Sequence, residues 1–149
     1  MFEAASRVNP DDYQTSALLA TAYGGLGKEA EAMSCYRRCL ELAEKQLQLH
    51  PDDARALYLG AGALTKLGQR QRAMEWVGRA LAIDPSDAGV LYNVSCAYAM
   101  LGEADQAIYC LERALENGFG HKEWILHDSD LDSIRDHPQF QTLLAKLAA

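Results

Sequence analysis

No stretch of this chain approaches the roughly 18 consecutive apolar residues of a membrane-spanning helix. Nor does it open on a secretory signal. Proline is scarce, four in 149 residues, which leaves long segments free to be helical. Its four cysteines, Cys35, Cys39, Cys96 and Cys110, make no Cys-x-x-Cys pair, so the common zinc and redox patterns are missing. Cys35 and Cys39 lie one helical turn apart, a spacing that suits reduced, buried thiols in a cytoplasmic protein. Positive charge is in deficit: 14 Lys and Arg against 21 Asp and Glu give −7. An acidic surface argues against nucleic acid and anionic membrane as partners. What the chain has in quantity is alanine and leucine, which leans it towards helix. Its length fits one domain with a real core.

The abundant residues repeat. Leu-Gly pairs stand at Leu26-Gly27, Leu67-Gly68 and Leu101-Gly102, spaced 41 and 34. Pro10, Pro51 and Pro85 share those intervals, as do Ala32, Ala73 and Ala107, and Leu40, Leu81 and Leu115. Four markers in one register make an internal repeat. Within each unit the apolar period is near 3.6, so each unit is a helix pair broken at Leu-Gly. Asp-rich turns after the prolines cap the next helix. This predicts helices near 12–25 and 28–49, 53–67 and 69–83, 87–101 and 103–116. The units run over 13–53, 54–87 and 88–118, with a helical cap at 119–149, in a single domain spanning 1–149.

The first unit is seven residues too long, with Leu40-Glu41-Leu42 echoed at Leu47-Gln48-Leu49. Seven residues are two turns with a drift of about 20°, so its second helix is expected to continue to His50. Phe2, Ala5 and Pro10 stand where Tyr36, Cys39 and the next turn would stand. Residues 1–10 therefore read as the end of a preceding repeat helix, and the chain as a fragment of a longer protein.

This pattern resembles the tetratricopeptide repeat, a 34-residue helix–turn–helix unit. The likeness rests on the Leu-Gly turns, on Ala32, Ala73 and Ala107, and on the Ala-Leu before each proline. It is clearest in "RALAIDPSD" (79–87) and "LYNVSCAYAMLGEADQAIYCLERALENG" (91–118). It implies an all-α right-handed superhelix. The tail "GFGHKEWILHDSDLDSIRDHPQFQTLL" (118–144) is similar to endings of such arrays in bacterial multidomain signalling proteins: adenylate cyclases, Ser/Thr kinases and winged-helix regulators. The resemblance implies an accessory sensing or protein-binding module.

In such a solenoid the first helices line a concave face, the usual ligand groove. The register puts Gln14, Ala17 and Thr21 there, then Arg55, Tyr58, Gly62 and Thr65, then Tyr92, Asn93, Cys96 and Ala99. Tyr58 and Tyr92 offer rigid contact area with a polar tip, so a peptide or partner helix is the expected guest. The plainer reading is that the tyrosines pack against their neighbours. One subgroup clamps a peptide carboxylate with Lys, Asn and Arg. The matching positions here are Ala17, Thr21, Leu59, Gly89 and Asn93, where only Asn93 is polar enough to help. Self-association through residues 44–50 or the N-terminal face, giving a homodimer, is the competing function.

Chemistry finds little support. Cys39 occupies the small position of Ala80 and Ala114, and Cys35 and Cys110 that of Trp76, so packing explains them. "GGLG" (24–27) lacks the strand and the Lys-Ser/Thr of a phosphate loop. We expect no enzyme, cofactor or metal. Asp128, Asp130 and Asp132 imitate a calcium loop, but Ser133 stands where its Gly is needed and Gln139 where its Glu is needed. They are better read as caps: Asp130 for a turn holding Leu131 and Ile134, then Asp136 or His137 for a last helix with Pro138 first. Phe140, Leu143, Leu144 and Leu147 would cover the third unit.

Overall fold

The computed structural model describes residues 12–148, so the helix end expected at 1–10 lies outside the described residues. All regular structure among them is helical: α1 (Tyr13–Gly25), α2 (Glu29–Leu49), α3 (Ala54–Lys66), α4 (Arg70–Ile83), α5 (Ala88–Met100), α6 (Ala104–Glu116) and α7 (Lys122–His127). A 3₁₀ turn (Ser129–Ile134) and α8 (Pro138–Ala148) follow. The six repeat helices lie within one residue of their expected bounds at each end, because local chemistry sets those bounds. Asp12, Asp53 and Asp87 each accept a hydrogen bond from a backbone N–H of the first turn they precede. Each Leu-Gly pair closes a helix with its glycine in the left-handed region: φ is 75° at Gly27, 80° at Gly68 and 79° at Gly102. The amide after each of these glycines returns to a carbonyl five residues back, as Lys28 N–H does to Tyr23 at 2.9 Å. Asn117-Gly118, with φ 95°, ends α6 in the same way.

The chain divides into two compact units, 1–76 and 77–149. In the first, α1 packs on α2, α2 on α3, and α1 lies beside α3. The long helix is there: α2 has 21 residues, about 32 Å at 1.5 Å each. Its apolar stripe stays in phase through Leu40, Ala43 and Leu47, all buried. Trp76 of α4 lies against Gly60 of α3, where a Cβ would stand 2.2 Å from the indole.

In the second unit α5 packs on α6, the 3₁₀ turn on α5, and α8 on α6. Ile125, Leu131 and Phe140 are fully buried and Ile134 nearly so. The tail is therefore core. One of its starts differs from expectation: Asp128, rather than Asp130, caps the 3₁₀ turn, accepting from the Asp130 N–H. Of the two candidates for the start of α8, His137 takes the role with its ring, Nδ1 accepting from Gln139 N–H at 3.2 Å.

Candidate functional site

Two first-helix faces result, and they differ. On the 12–76 unit, Arg55 reaches across from α3 to α1, donating from Nη1 to Gln14 Oε1 at 3.1 Å. Its guanidinium also hydrogen-bonds Tyr58, which holds its pKa above the ordinary value. Behind them Asp53 accepts from Tyr13 at 3.3 Å, Gln46 at 3.0 Å and Ala56 N–H at 3.1 Å. Burial raises the Asp53 pKa, but those donors together outweigh it and keep the carboxyl below its usual range. Burial, then the Asp53 charge, pushes the Tyr13 phenol up to about 12. Arg55 and Thr21 are exposed, Gln14, Tyr58 and Thr65 half-buried. The two threonines each return a hydroxyl to a carbonyl of their own helix, Thr21 to Ala17 and Thr65 to Ala61. Leu18 beside them is 55% exposed. This face thus has a positioned cation, a phenol and open apolar surface.

On the 77–149 unit the register positions are the same and the outcome is opposite. Tyr92 is 2% and Cys96 5% exposed, because the chain's own tail lies over them. The Tyr92 hydroxyl donates to Asp128 Oδ2 at 2.6 Å, and its ring stacks on Phe119 at 4.4 Å and 8°. Cys96 Sγ points at the same Asp128 oxygen, 3.8 Å away. Ser133 donates to the Ala99 carbonyl at 2.7 Å. Arg135 locks the strap, giving Nη1 to Ile125 O and Nη2 to Asp128 O, while its Nε pairs with Asp132. Of the expected residues here only Asn93 keeps partial exposure, and its amide is bonded to Gly89 O. Nothing in the register announced a cover. Arg135, Phe119 and the Tyr92 acceptor Asp128 carry no repeat signal, since they follow the last repeat.

Cys96, Asp128 and Asp130 bring donor atoms within 4.8 Å of one another. Their chemistry fits a hydrogen-bonded core better than a metal. Asp128 is already taken by Tyr92 and the Asp130 N–H, and burial followed by both carboxylates drives the Cys96 thiol up, away from the thiolate a metal needs. Asp132 is committed to Arg135, so the three aspartates do not converge. All four cysteines are free thiols.

These buried protons set a pH limit. Burial raises Tyr92 above its ordinary 10.0, pushes Cys39 up to about 12 and Cys110 up to about 11. The folded state holds these protons more tightly than the unfolded chain, so their contribution is complete below the unfolded values and is lost as pH rises through the folded ones. The melting temperature should hold up to the ordinary thiol value of 9.0 and then fall steadily through about 12. Tyr92→Phe, less stable at neutral pH for want of the Asp128 bond, should show a shallower alkaline decline. An unchanged slope would remove Tyr92 from this account.

Against known proteins, residues 36–114, more than half the chain, match the family model described as anaphase-promoting complex, cyclosome, subunit 3. Residues 13–46 match the tetratricopeptide repeat. No curated protein is a significant match. Among solved structures, the MamA RS-1 ArsTM double mutant is 21% identical, with a TM-score of 0.54 over 99% of this chain and 79% of its own. MamA 41-end from Desulfovibrio magneticus RS-1 is also 21% identical, with a TM-score of 0.54 over 97% and 76%. A further MamA crystal structure is 19% identical, with a TM-score of 0.51 over 99% and 73%. At these identities the likeness is one of fold.

Proposed function

The chain belongs to the tetratricopeptide-repeat family, through the model of anaphase-promoting complex, cyclosome, subunit 3, and on that premise we propose that it is a scaffold module whose 12–76 unit holds a peptide or protein segment on the α1/α3 face. The observation that carries this reading is the Gln14–Arg55–Tyr58 group. A cation is held in place there between two helices, and Leu18, one helical turn on from Gln14, is exposed. A positioned guanidinium takes a carboxylate or carbonyl of a guest with little further loss of rotamer freedom. Thr21, Thr65 and the open Gly62 surface extend the same face. The tail's resemblance to endings of bacterial signalling arrays favours an accessory role in a larger cytoplasmic signalling protein.

Selection of a peptide library on the intact chain should enrich segments carrying a carboxylate beside an apolar residue. Arg55→Ala or Tyr58→Ala should weaken them at least tenfold, the scale of a hot-spot truncation of about 1.4 kcal/mol or more. Affinity indifferent to both would refute the site.

Self-association has one observation of its own. Leu49, at the end of the α2 extension, is 76% exposed beside a cleft lined by Tyr13, Leu42, Lys45 and Gln46. On that reading the sedimentation mass is a dimer's and reverts when residues 43–49 are deleted. A monomer at high concentration would sink it.

A further inference from the structure

The short helix α7 turns Ile125 into the core at 0% exposure and leaves Trp124 at 52% and Leu126 at 46%. Single exposed apolar side chains are ordinary, but this indole is held. His121 stacks on it at 4.3 Å and 13°, and Phe119 meets it edge-on at 6.0 Å. Phe119 is itself stacked on the buried Tyr92. The ring therefore keeps one orientation, and a guest meets it without a large ordering cost.

Trp124 does not stand alone. With Glu123, His127 and Asp128 it lines an open cleft of about 360 Å³. Glu123 and Asp128 are among its walls, and no lysine or arginine is. Asp128 is fixed by Tyr92 Oη and by the Asp130 N–H, which engage both its oxygens, so it contributes a positioned negative charge, and the acceptor is the exposed Glu123. An anionic guest would be repelled there, and a purely apolar one would strip water from the Glu123 carboxylate without replacing it. A planar cation satisfies both parts. It stacks on an indole, whose π-face attracts positive charge, and it offers N–H donors in a fork to a carboxylate. A lysine ammonium matches the charge but not the stacking.

We propose that the α7 cleft receives an arginine side chain of a protein partner, with Trp124 as its platform, Glu123 as its acceptor and Asp128 as a fixed negative charge beside it. The site lies in the 77–149 unit and takes the charge opposite to the one Arg55 selects. It therefore stands or falls separately from the α1/α3 reading.

The test uses the intact chain and an acetylated, amidated Gly-Arg-Gly-Arg-Gly peptide. Its partner is the same peptide with citrulline for arginine, which keeps the shape and removes the charge. The indole N–H signal of Trp124 is followed by NMR, with the buried Trp76 as internal reference. The arginine peptide should shift the Trp124 signal saturably and bind about three- to fivefold more tightly than the citrulline peptide, the scale of one exposed cation–π contact. Trp124→Leu, followed through backbone amides of α7, and Glu123→Gln should each weaken it about as much. Both side chains are exposed, and Glu123→Gln preserves shape, so folding is not at stake in that variant. Equal binding of the citrulline peptide overturns the proposal. So does a Trp124 signal unmoved at millimolar peptide, or affinity untouched by Glu123→Gln.

Discussion

Phe140→Ala should lower stability by about 3–5 kcal/mol, the usual cost of emptying a buried phenylalanine site. In a chain of this size that is roughly 10–15 °C in melting temperature. Phe140 is fully buried on α8, which packs on α6, and the Arg135 guanidinium lies 5.9 Å from its ring centre. Arg135 in turn holds Ile125 O and Asp128 O, and Asp128 holds Tyr92. Loss of the ring should therefore loosen the strap as well as α8. Near-ultraviolet dichroism from the stacked Tyr92, Phe119 and Trp124 rings should weaken along with the melting temperature. A shift below about 3 °C, less than 1 kcal/mol on the same scale, would mean that the tail is an appendage rather than core.

Gly60→Ala should cost about 2 kcal/mol, against what helix propensity alone says. In a helix interior that change ordinarily gains about 1 kcal/mol. At Gly60, however, an added Cβ would lie 2.2 Å from Trp76 Cζ3, 2.7 Å from Cε3 and 3.4 Å from Ala43 Cβ. Trp76 is 7% exposed, so its ring has little room to swing aside. Overpacking of this kind costs about 1–3 kcal/mol or more beyond the propensity gain. Gly62, two residues on in the same helix, is the control: a Cβ there meets nothing within 4 Å. Gly62→Ala should stabilise by about 0.5–1 kcal/mol. Adding Trp76→Leu to Gly60→Ala should cost less than the sum of the two singles, since each relieves the other. Urea unfolding reads all four. A Gly60→Ala protein as stable as Gly62→Ala would disprove the contact.

Gly60 and Gly62 also mark the limit of legibility. In the sequence they are two glycines in one helix, and the register puts only Gly62 on the first-helix face. Which of them touches a tryptophan depends on how α4 returns along α3. The four aspartates of the turns divide in the same way. Asp12, Asp53 and Asp87 were readable as caps because a cap serves an amide two or three residues away. Asp128 is a cap as well, but its bond to Tyr92, 36 residues back, was not readable.

By itself the sequence determined the helix pairs, their bounds, the long α2 and the turn glycines. All of these follow from contacts within about one turn of helix, where spacing and residue type suffice. It also determined which residues share the first-helix face, because a 3.6-residue period is a local property. Only the tertiary structure decided which part of that face stays open. The repeat register treats Tyr58 and Tyr92 as equivalents, yet one lies half-buried beside Arg55 and the other lies under residues 119–134. The tail is placed by burying Ile125, Leu131, Ile134 and Phe140, a non-directional force acting across long chain separations. No periodicity in the sequence records where such a segment comes to rest.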